Sequence, residues 1–418
     1  MNRRWAVLGF IFAAILISYI DRGNLSIAET AIMRDFHLPP SSMGVLLSAF
    51  FWTYAAFQIP AGMLVDRFGI RPTYAAAFLL WSTASAATAL SHSSTDILLL
   101  RLLLGLAETI GPVASLAFIR QNFSGREQGL PVSIYISGQT LGPACGASLG
   151  SILLASFGWR PLFAVTGLAA LLWVPGWCWL APRRSPQSAT EAAMKPQPRL
   201  HWPILFSSRA FWALSACVFF FSYYWYFVLT WMPAYLIVAR GFSTRAMGGI
   251  LAAPLFTMAG TNLIAGWLAD RFVAKTGSVF RVRTWFTGAG LAGAALILLL
   301  DLLPHRMAVL PVLILSICSF GVASSQFWSI AQYTPPASLV GRTIGYLNTL
   351  SQIGGIAAPL ITGWSLGPQK NFGFAIWLAG LAPAIACLLL FAAGTRGLEK
   401  FRSALSSAET KPATTGSV

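Results

Sequence analysis

The sequence predicts an all-α membrane protein in which twelve transmembrane helices form two pseudo-symmetric six-helix bundles. Three observations lead there. Hydrophobic residues make up 56% of the 418 positions and charged residues only 10%, with a mean hydropathy of +0.68. A soluble domain needs roughly a quarter charged residues to cover its surface, so lipid must be the solvent. Apolar runs of about 20 residues, enough to cross a bilayer, recur along the chain, and loop motifs from its first half return in its second.

The spans fall at roughly 5–28, 43–65, 73–91, 96–119, 129–154 and 161–181, then at roughly 209–237, 246–268, 284–303, 307–331, 342–365 and 372–394. Asn2-Arg3-Arg4 before an apolar run resembles a leader peptide, but Asp21-Arg22 stand where a cleavage site would lie. The run therefore reads as the first span. The longest polar gap carries Pro182, Pro186, Pro196, Pro198 and Pro203. These features divide the chain into a first bundle (1–181), a linker (182–208), a second bundle (209–395) and a tail (396–418), whose Ser-, Thr- and Ala-rich end past Arg402 reads as unstructured.

Orientation follows from Lys and Arg in the loops. With the N-terminus inside, only Arg34, Arg160, Arg240, Arg245, Arg306 and Lys370 fall outside, and Arg22 and Arg101 fall within spans. The rest of the 28 basic residues lie inside. Both termini are expected in the cytoplasm, in an inner membrane, with lipid around a monomeric bundle.

The net charge of +16 and pI near 10.3 are therefore mostly topology. They do not indicate nucleic acid, because the bases form no stripe with interleaved aromatics. Cys145, Cys178, Cys217, Cys318 and Cys387 lie scattered in apolar runs without metal or disulfide spacing. No Ser-His-Asp set, His cluster, P-loop or dinucleotide fingerprint is present. The chain is read as a transporter with no cofactor and no metal, and not as an enzyme or an ATP-driven pump.

Gly62-x-x-x-Asp66-Arg67-x-Gly69-x-Arg71 follows helix 2, and Gly266-x-x-x-Asp270-Arg271 follows helix 8. Gly125-Arg126 before Gly138 and Pro143 likewise matches Gly341-Arg342 before Gly354 and Pro359. Two related halves with a site between them are what a rocking carrier needs. The first motif resembles the loop signature of the major facilitator superfamily. That resemblance implies that Asp66 meets the N-terminus of helix 11, where a helix dipole favours an acid, and latches the inner gate with Arg67 and Arg71 around it. A charged turn obeying the inside-positive rule is the bland alternative.

Ionisable groups inside a membrane are costly and mark functional sites. Asp21, Arg22, Arg101 and Glu108 are the ones read as lying clearly within spans. All four histidines lie in loops or at helix ends, so proton chemistry in the core must use carboxylates. Arg101 and Glu108 are seven residues apart on helix 4, about 10 Å along the axis and on nearly one face. They cannot pair tightly, and helix 1 with Asp21-Arg22 is the natural partner for each. The alternative is an ion-pair cluster that merely holds helices 1 and 4 together.

Helix 1 (Tyr19-Ile-Asp21-Arg22-Gly-Asn24-Leu-Ser26), helix 2 (Phe51-Trp52-Thr53-Tyr54), helix 5 (Tyr135-Ile-Ser137-Gly138-Gln139) and helix 7 (Tyr226 to Leu236) together resemble the anion:cation symporter family. That family belongs to the major facilitator fold and includes bacterial galactonate, glucarate and hexuronate transporters. The resemblance implies proton-coupled uptake of a small organic anion, with protons and that anion as partners. Asp21 and Glu108 would be the protonatable acids, with Arg22 and Arg101 as counter-charges. Tyr19, Tyr54 and Gln139 would hydrogen-bond the anion, joined by Ser324, Ser325, Asn348 and Gln352 on helices 10 and 11. Amides and hydroxyls also bridge helices, so packing is the alternative for these polar residues.

Two departures bear on the substrate. Glu108 is followed by Thr-Ile-Gly-Pro112 rather than directly by Pro. Helix 7 has no Asn or Gln between Phe211 and Thr230 and carries an aromatic run from Phe219 to Tyr226 instead, which suits a flatter, less hydroxylated carboxylate; packing against lipid is the alternative for that run. Gly138-x-x-x-Gly142-Pro143-x-x-Gly146 on helix 5 also resembles an antiporter signature. A proton-driven drug-efflux antiporter is thus the rival, although such a pump has little reason to bury two arginines.

Overall fold

A computed structural model describes residues 3–123, 129–182, 206–303, 306–336, 340–367 and 371–410. The Gly125-Arg126 half of the repeat, Lys370, His201, His305 and most of the linker lie outside the described residues. The first half contains α1 (Arg3–Asp35), the bent α2 (Pro40–Ala56 and Gln58–Phe68), α3 (Ile70–Ala87), α4 (Ser94–Asn122), α5 (Gly129–Phe157) and α6 (Trp159–Leu180). The second contains α7 (Arg209–Ala239), α8 (Thr244–Thr276), α9 (Val279–Leu302), α10 (Val309–Tyr333), α11 (Val340–Ser365) and α12 (Gly373–Ala393). A further helix, α13 (Thr395–Thr410), follows.

Nine of these are long and apolar enough to cross a membrane, ten with the bent α2. Among α1–α12 the two that fall short are α3, rich in Ala, Ser and Thr, and α11, which carries Asn348, Ser351 and Gln352. Both are packed among the others and complete the twelve-helix bundle.

Local chemistry sets the breaks. Pro60 has no N–H for the Ala56 carbonyl, and α2 bends by 52° at the preceding Phe57. Gly69 at φ 88° turns the chain from α2 into α3, where a side chain would be strained. A reciprocal cap starts α4: Asp96 N–H donates to Ser93 Oγ (3.2 Å) and Ser93 N–H to Asp96 Oδ2 (2.9 Å).

In the first half α1 packs on α5, and α4 on α2 and α3. In the second, α10 packs on α8 and α9, and α7 on α11 and α12. The halves meet along α5–α8, α2–α11 and α1–α7. The contacts joining them sit at mid-depth or toward the end away from the chain termini, here the far end. A Cβ at Gly44 would lie 2.6 Å from the Pro359 carbonyl oxygen of α11, and one at Gly248 would overlap Ser151 of α5. Arg245 Nη2 donates to Ser156 Oγ at 3.2 Å.

Gly44→Val should therefore prop α2 and α11 apart, because backbone faces it and overpacking costs about 1–3 kcal/mol. The expected result is roughly tenfold faster labelling of a cysteine at Ala147 by an impermeant maleimide added from the far side. An unchanged rate would mean that this contact does not hold the far end shut.

The tail departs from its sequence reading. Residues up to Thr410 form α13, whose Leu398, Phe401 and Leu405 are buried. Their three- and four-residue spacing makes one apolar stripe, which packs under α7, α9 and α12. The Ser- and Ala-rich composition masked that stripe.

Candidate functional site

On α1, Ser18 and Arg22 are one helical turn apart and share a face. Both reach across to α4. Ser18 Oγ donates to Glu108 Oε2 at 2.7 Å, and Arg22 Nε donates to the same oxygen at 2.6 Å. The Glu108 side chain is fully buried and that of Arg22 is 13% exposed. The guanidinium sits against three aromatic rings, 4.6 Å from the centroids of Tyr19 and Phe50 and 4.7 Å from Tyr54. A cation beside π-faces is stabilised without being neutralised.

Asp21 points elsewhere. Its Oδ1 accepts from Ser85 Oγ of α3 at 3.2 Å and from Asn24 Nδ2 at 3.4 Å, and Asn24 also donates to Thr166 of α6 at 2.9 Å. Asp21 therefore faces the interior of the first half, not the Arg22 guanidinium beside it in sequence.

Arg101 is the contrasting group. It is buried, lies 5.6 Å from the Phe50 ring, and its Nε and Nη1 have no hydrogen-bond partner. An unmatched buried cation costs several kcal/mol, and an anion arriving from outside can recover that cost.

Arg22, Arg101 and Tyr19 line a cavity between the halves. The rest of its wall is mostly apolar, with Leu47, Phe50 and Phe51 from α2, Pro143 from α5, and Leu251 and Leu255 from α8. Its hydroxyls are few, and apart from Tyr19 they are engaged. Ser26 donates to the Leu229 and Thr230 carbonyls at 2.7 Å each, and Thr230 to the Tyr226 carbonyl at 2.6 Å.

The remaining candidates of the core are not among the lining residues. Tyr54 stacks on Phe50 at 5.2 Å, and Gln139 donates to Tyr135 Oη at 3.0 Å. Gln352 accepts from Tyr226 Oη at 3.3 Å and donates to Asn348 Oδ1 at 3.4 Å. It thereby supports Tyr226, which lines the cavity and meets Phe51 edge-on at 4.6 Å. Ser324 is half-buried on α10, and Ser325 Oγ donates to the Val322 carbonyl of its own helix at 3.1 Å.

At the termini end, Asp66 and Arg67 are exposed at the end of α2, past Gly62. Arg71 donates to the Cys178 carbonyl, and Trp177 Nε1 to the Arg71 carbonyl at 3.0 Å, tying α3 to α6. In the second half Asp270 accepts from Arg283 of α9 at 2.7 Å, Arg283 also donates to Gln326 of α10 at 2.9 Å, and Arg271 lies 5.2 Å from the Trp267 ring.

The antiporter-like glycines have a packing role. A Cβ at Gly142 would lie 2.5 Å from Tyr19 Cβ, one at Gly138 3.2 Å from Ile15 and one at Gly146 3.3 Å from Ile20. They form the groove that seats α1 and holds Tyr19 and Arg22 at the cavity.

The sequence reading passed over Ser18, Ser85, Thr166, Phe50 and Glu29. Ser18 was detectable as the residue one turn before Arg22. Glu29 is a correction: the first span runs to Asp35, so Glu29 lies inside it and is fully buried. Among the described residues no group of three His, Cys, Asp or Glu side chains could hold a metal.

The model of the Major Facilitator Superfamily matches residues 11–359. A hexuronate transporter of Bacillus subtilis is 28% identical over 91% of this chain and 92% of its own. A D-galactonate transporter of Escherichia coli O6:H1 is 28% identical over 90% and 91%. Among solved structures, a bacterial homologue of the human lysosomal transporter Spinster, inward-facing and unoccupied, superposes with a TM-score of 0.75. It is 19% identical and covers 98% of this chain and 96% of its own.

Proposed function

The chain belongs to the Major Facilitator Superfamily, and we propose that within it this protein takes up a small organic carboxylate with protons by alternating access. One observation carries the reading: Arg22 is held by Glu108 at 2.6 Å while Arg101, on the same cavity wall, has two guanidinium nitrogens, Nε and Nη1, without a hydrogen-bond partner. Protonating Glu108 removes the charge that holds Arg22 and leaves two guanidiniums facing one cavity. A substrate carboxylate then takes the place of the lost charge through charge-assisted hydrogen bonds. Proton and anion load together, and release of either favours loss of the other.

The relatives named above carry hexuronate and D-galactonate, which supports an organic anion as cargo. The apolar wall and its engaged hydroxyls favour a carboxylate with fewer hydroxyls than those sugar acids, because each buried substrate hydroxyl needs a partner. With the far end read as periplasmic from the basic residues, its closure supports an inward-facing arrangement with both termini cytoplasmic. In the opposite state Asp66 would reach the first turn of α11 and latch the cytoplasmic end.

Proteoliposomes with an imposed pH gradient test this. Sparsely hydroxylated carboxylates are expected to accumulate, faster with external acid, and a protonophore should abolish accumulation. Sodium dependence without a pH effect would remove the proton assignment. Outward movement of hydrophobic cations would favour the efflux rival.

A further inference from the structure

Glu29 belongs to neither the anion site nor the Asp21 cluster. It sits on α1 about 9 Å from that helix's far end and about 12 Å beyond Asp21, at 1.5 Å per residue. Its partner is a defect in α7. Pro233 has no N–H, so the Leu229 carbonyl lacks its helical donor, and the next turn, Tyr235–Ala239, widens into a π-helix. Ser26 and Glu29, three residues apart on one face of α1, repair this defect from the other half. Ser26 Oγ donates to the Leu229 and Thr230 carbonyls at 2.7 Å each, and Ala234 N–H donates to Glu29 Oε1 at 2.7 Å.

The repair places a carboxyl group in a site without a counter-charge. Glu29 is 0% exposed and its Oε2 has no hydrogen-bond partner. The elements packed against α1 supply no charge there. From Pro40 to Ala56, α2 has only Tyr54 as a titratable group. α5 has only Tyr135 and Cys145. On α7, Tyr226 is engaged with Gln352 and Tyr235 with the Leu300 carbonyl, Cys217, Tyr223 and Tyr224 lie nearer the termini end, and Arg209 lies at the opposite end. Arg240, just past α7, is taken up by Tyr235 Oη and the Leu300 and Leu303 carbonyls. On α4, Asp96 caps its own helix, Arg101 and Glu108 belong to the site described above, and Arg120 lies at the termini end. On α6, Arg160 pairs with Asp35. An ionised carboxylate is far more costly to bury unpaired than a neutral carboxyl, which still accepts from Ala234.

We propose that Glu29 is a third proton-binding site of this carrier, loaded from the far side as α1 closes on α7, so that shutting the far end itself takes up a proton. When the halves part there, Glu29 meets water and releases it. The proposal rests on alternating access but not on the identity of the anion or the role of Glu108. The sign follows from where the proton is bound. The far-closed state holds it, so the closed-to-open ratio rises as pH falls, by up to about tenfold per unit for one proton.

The test uses full-length, substrate-free protein in nanodiscs with its native cysteines replaced. Spin labels at Leu90→Cys and Leu302→Cys, exposed far-end positions in opposite halves, report the gate from about pH 5 to about pH 9. Glu29→Gln should stay closed across the range, with a pH slope smaller than the parent's by about one proton. Ser26→Ala removes the neighbouring hydrogen bonds without a titratable group and should open the gate while keeping the parental slope. A Glu29→Gln protein with the parental slope overturns the proposal, as does one that opens with that slope intact, since Glu29 would then act as an ionised acceptor. A far-end distance that never changes in any protein overturns alternating access and this proposal together.

Discussion

Glu108→Gln is expected to abolish net accumulation of the anion while leaving its exchange across the membrane close to the parental rate. In the parent, Glu108 Oε2 receives both Ser18 and Arg22. The amide keeps an oxygen for these donors but loses the charge, so Arg22 is permanently available to a carboxylate. Exchange needs no net proton release and survives, whereas the carrier can no longer couple anion loading at Arg22 to proton loading at Glu108. Binding should also lose the part of its pH dependence that Glu108 supplied. Breaking a buried pair typically costs about 3–5 kcal/mol, so the empty variant should melt earlier and regain much of that stability when the anion binds. Counterflow and gradient-driven uptake in the same vesicles make the measurement. Accumulation at the parental level would reduce Glu108 to a structural residue.

Arg101→Ala should weaken anion binding by at least about thirtyfold, since truncating one partner of a buried, hydrogen-bonded charge pair costs about 2–5 kcal/mol. Its effect on the empty protein should have the opposite sign. Arg101 is buried with two nitrogens lacking a hydrogen-bond partner, so removing it relieves the burial of an incompletely bonded cation, and stability should hold or rise. Arg22→Ala should lose binding too, but it strands Glu108 in the interior and should destabilise the empty protein by about 3–5 kcal/mol. Arg101→Lys keeps the charge without the planar fork and should recover binding only in part. Melting temperatures with and without a bound carboxylate separate these outcomes. Parental affinity in Arg101→Ala would place the anion elsewhere.

Composition, hydropathy and the Asp66 and Asp270 repeat made the membrane bundle legible without coordinates, because burial in lipid constrains every stretch of about 20 residues independently of its neighbours. The charged set was legible for the same reason: Asp21, Arg22, Arg101 and Glu108 stand out wherever apolar residues are the rule. The seven-residue spacing of Arg101 and Glu108 also implied, from helix geometry alone, that they share a face without touching.

Which acid meets which base belonged to the tertiary structure. Asp21 is Arg22's neighbour in the chain, yet Arg22 pairs with Glu108, 86 positions away, and Asp21 turns to Ser85. Helical periodicity orders side chains around their own axis but says nothing about how one axis is rotated and set against the next. Here the glycines of α5 set it, by letting α1 approach until Tyr19 and Ile20 lie against them. Glu29 escaped notice because its burial depends on α7, some two hundred residues away in the chain. An acid six positions from a helix end reads as solvated until another half of the molecule closes over it.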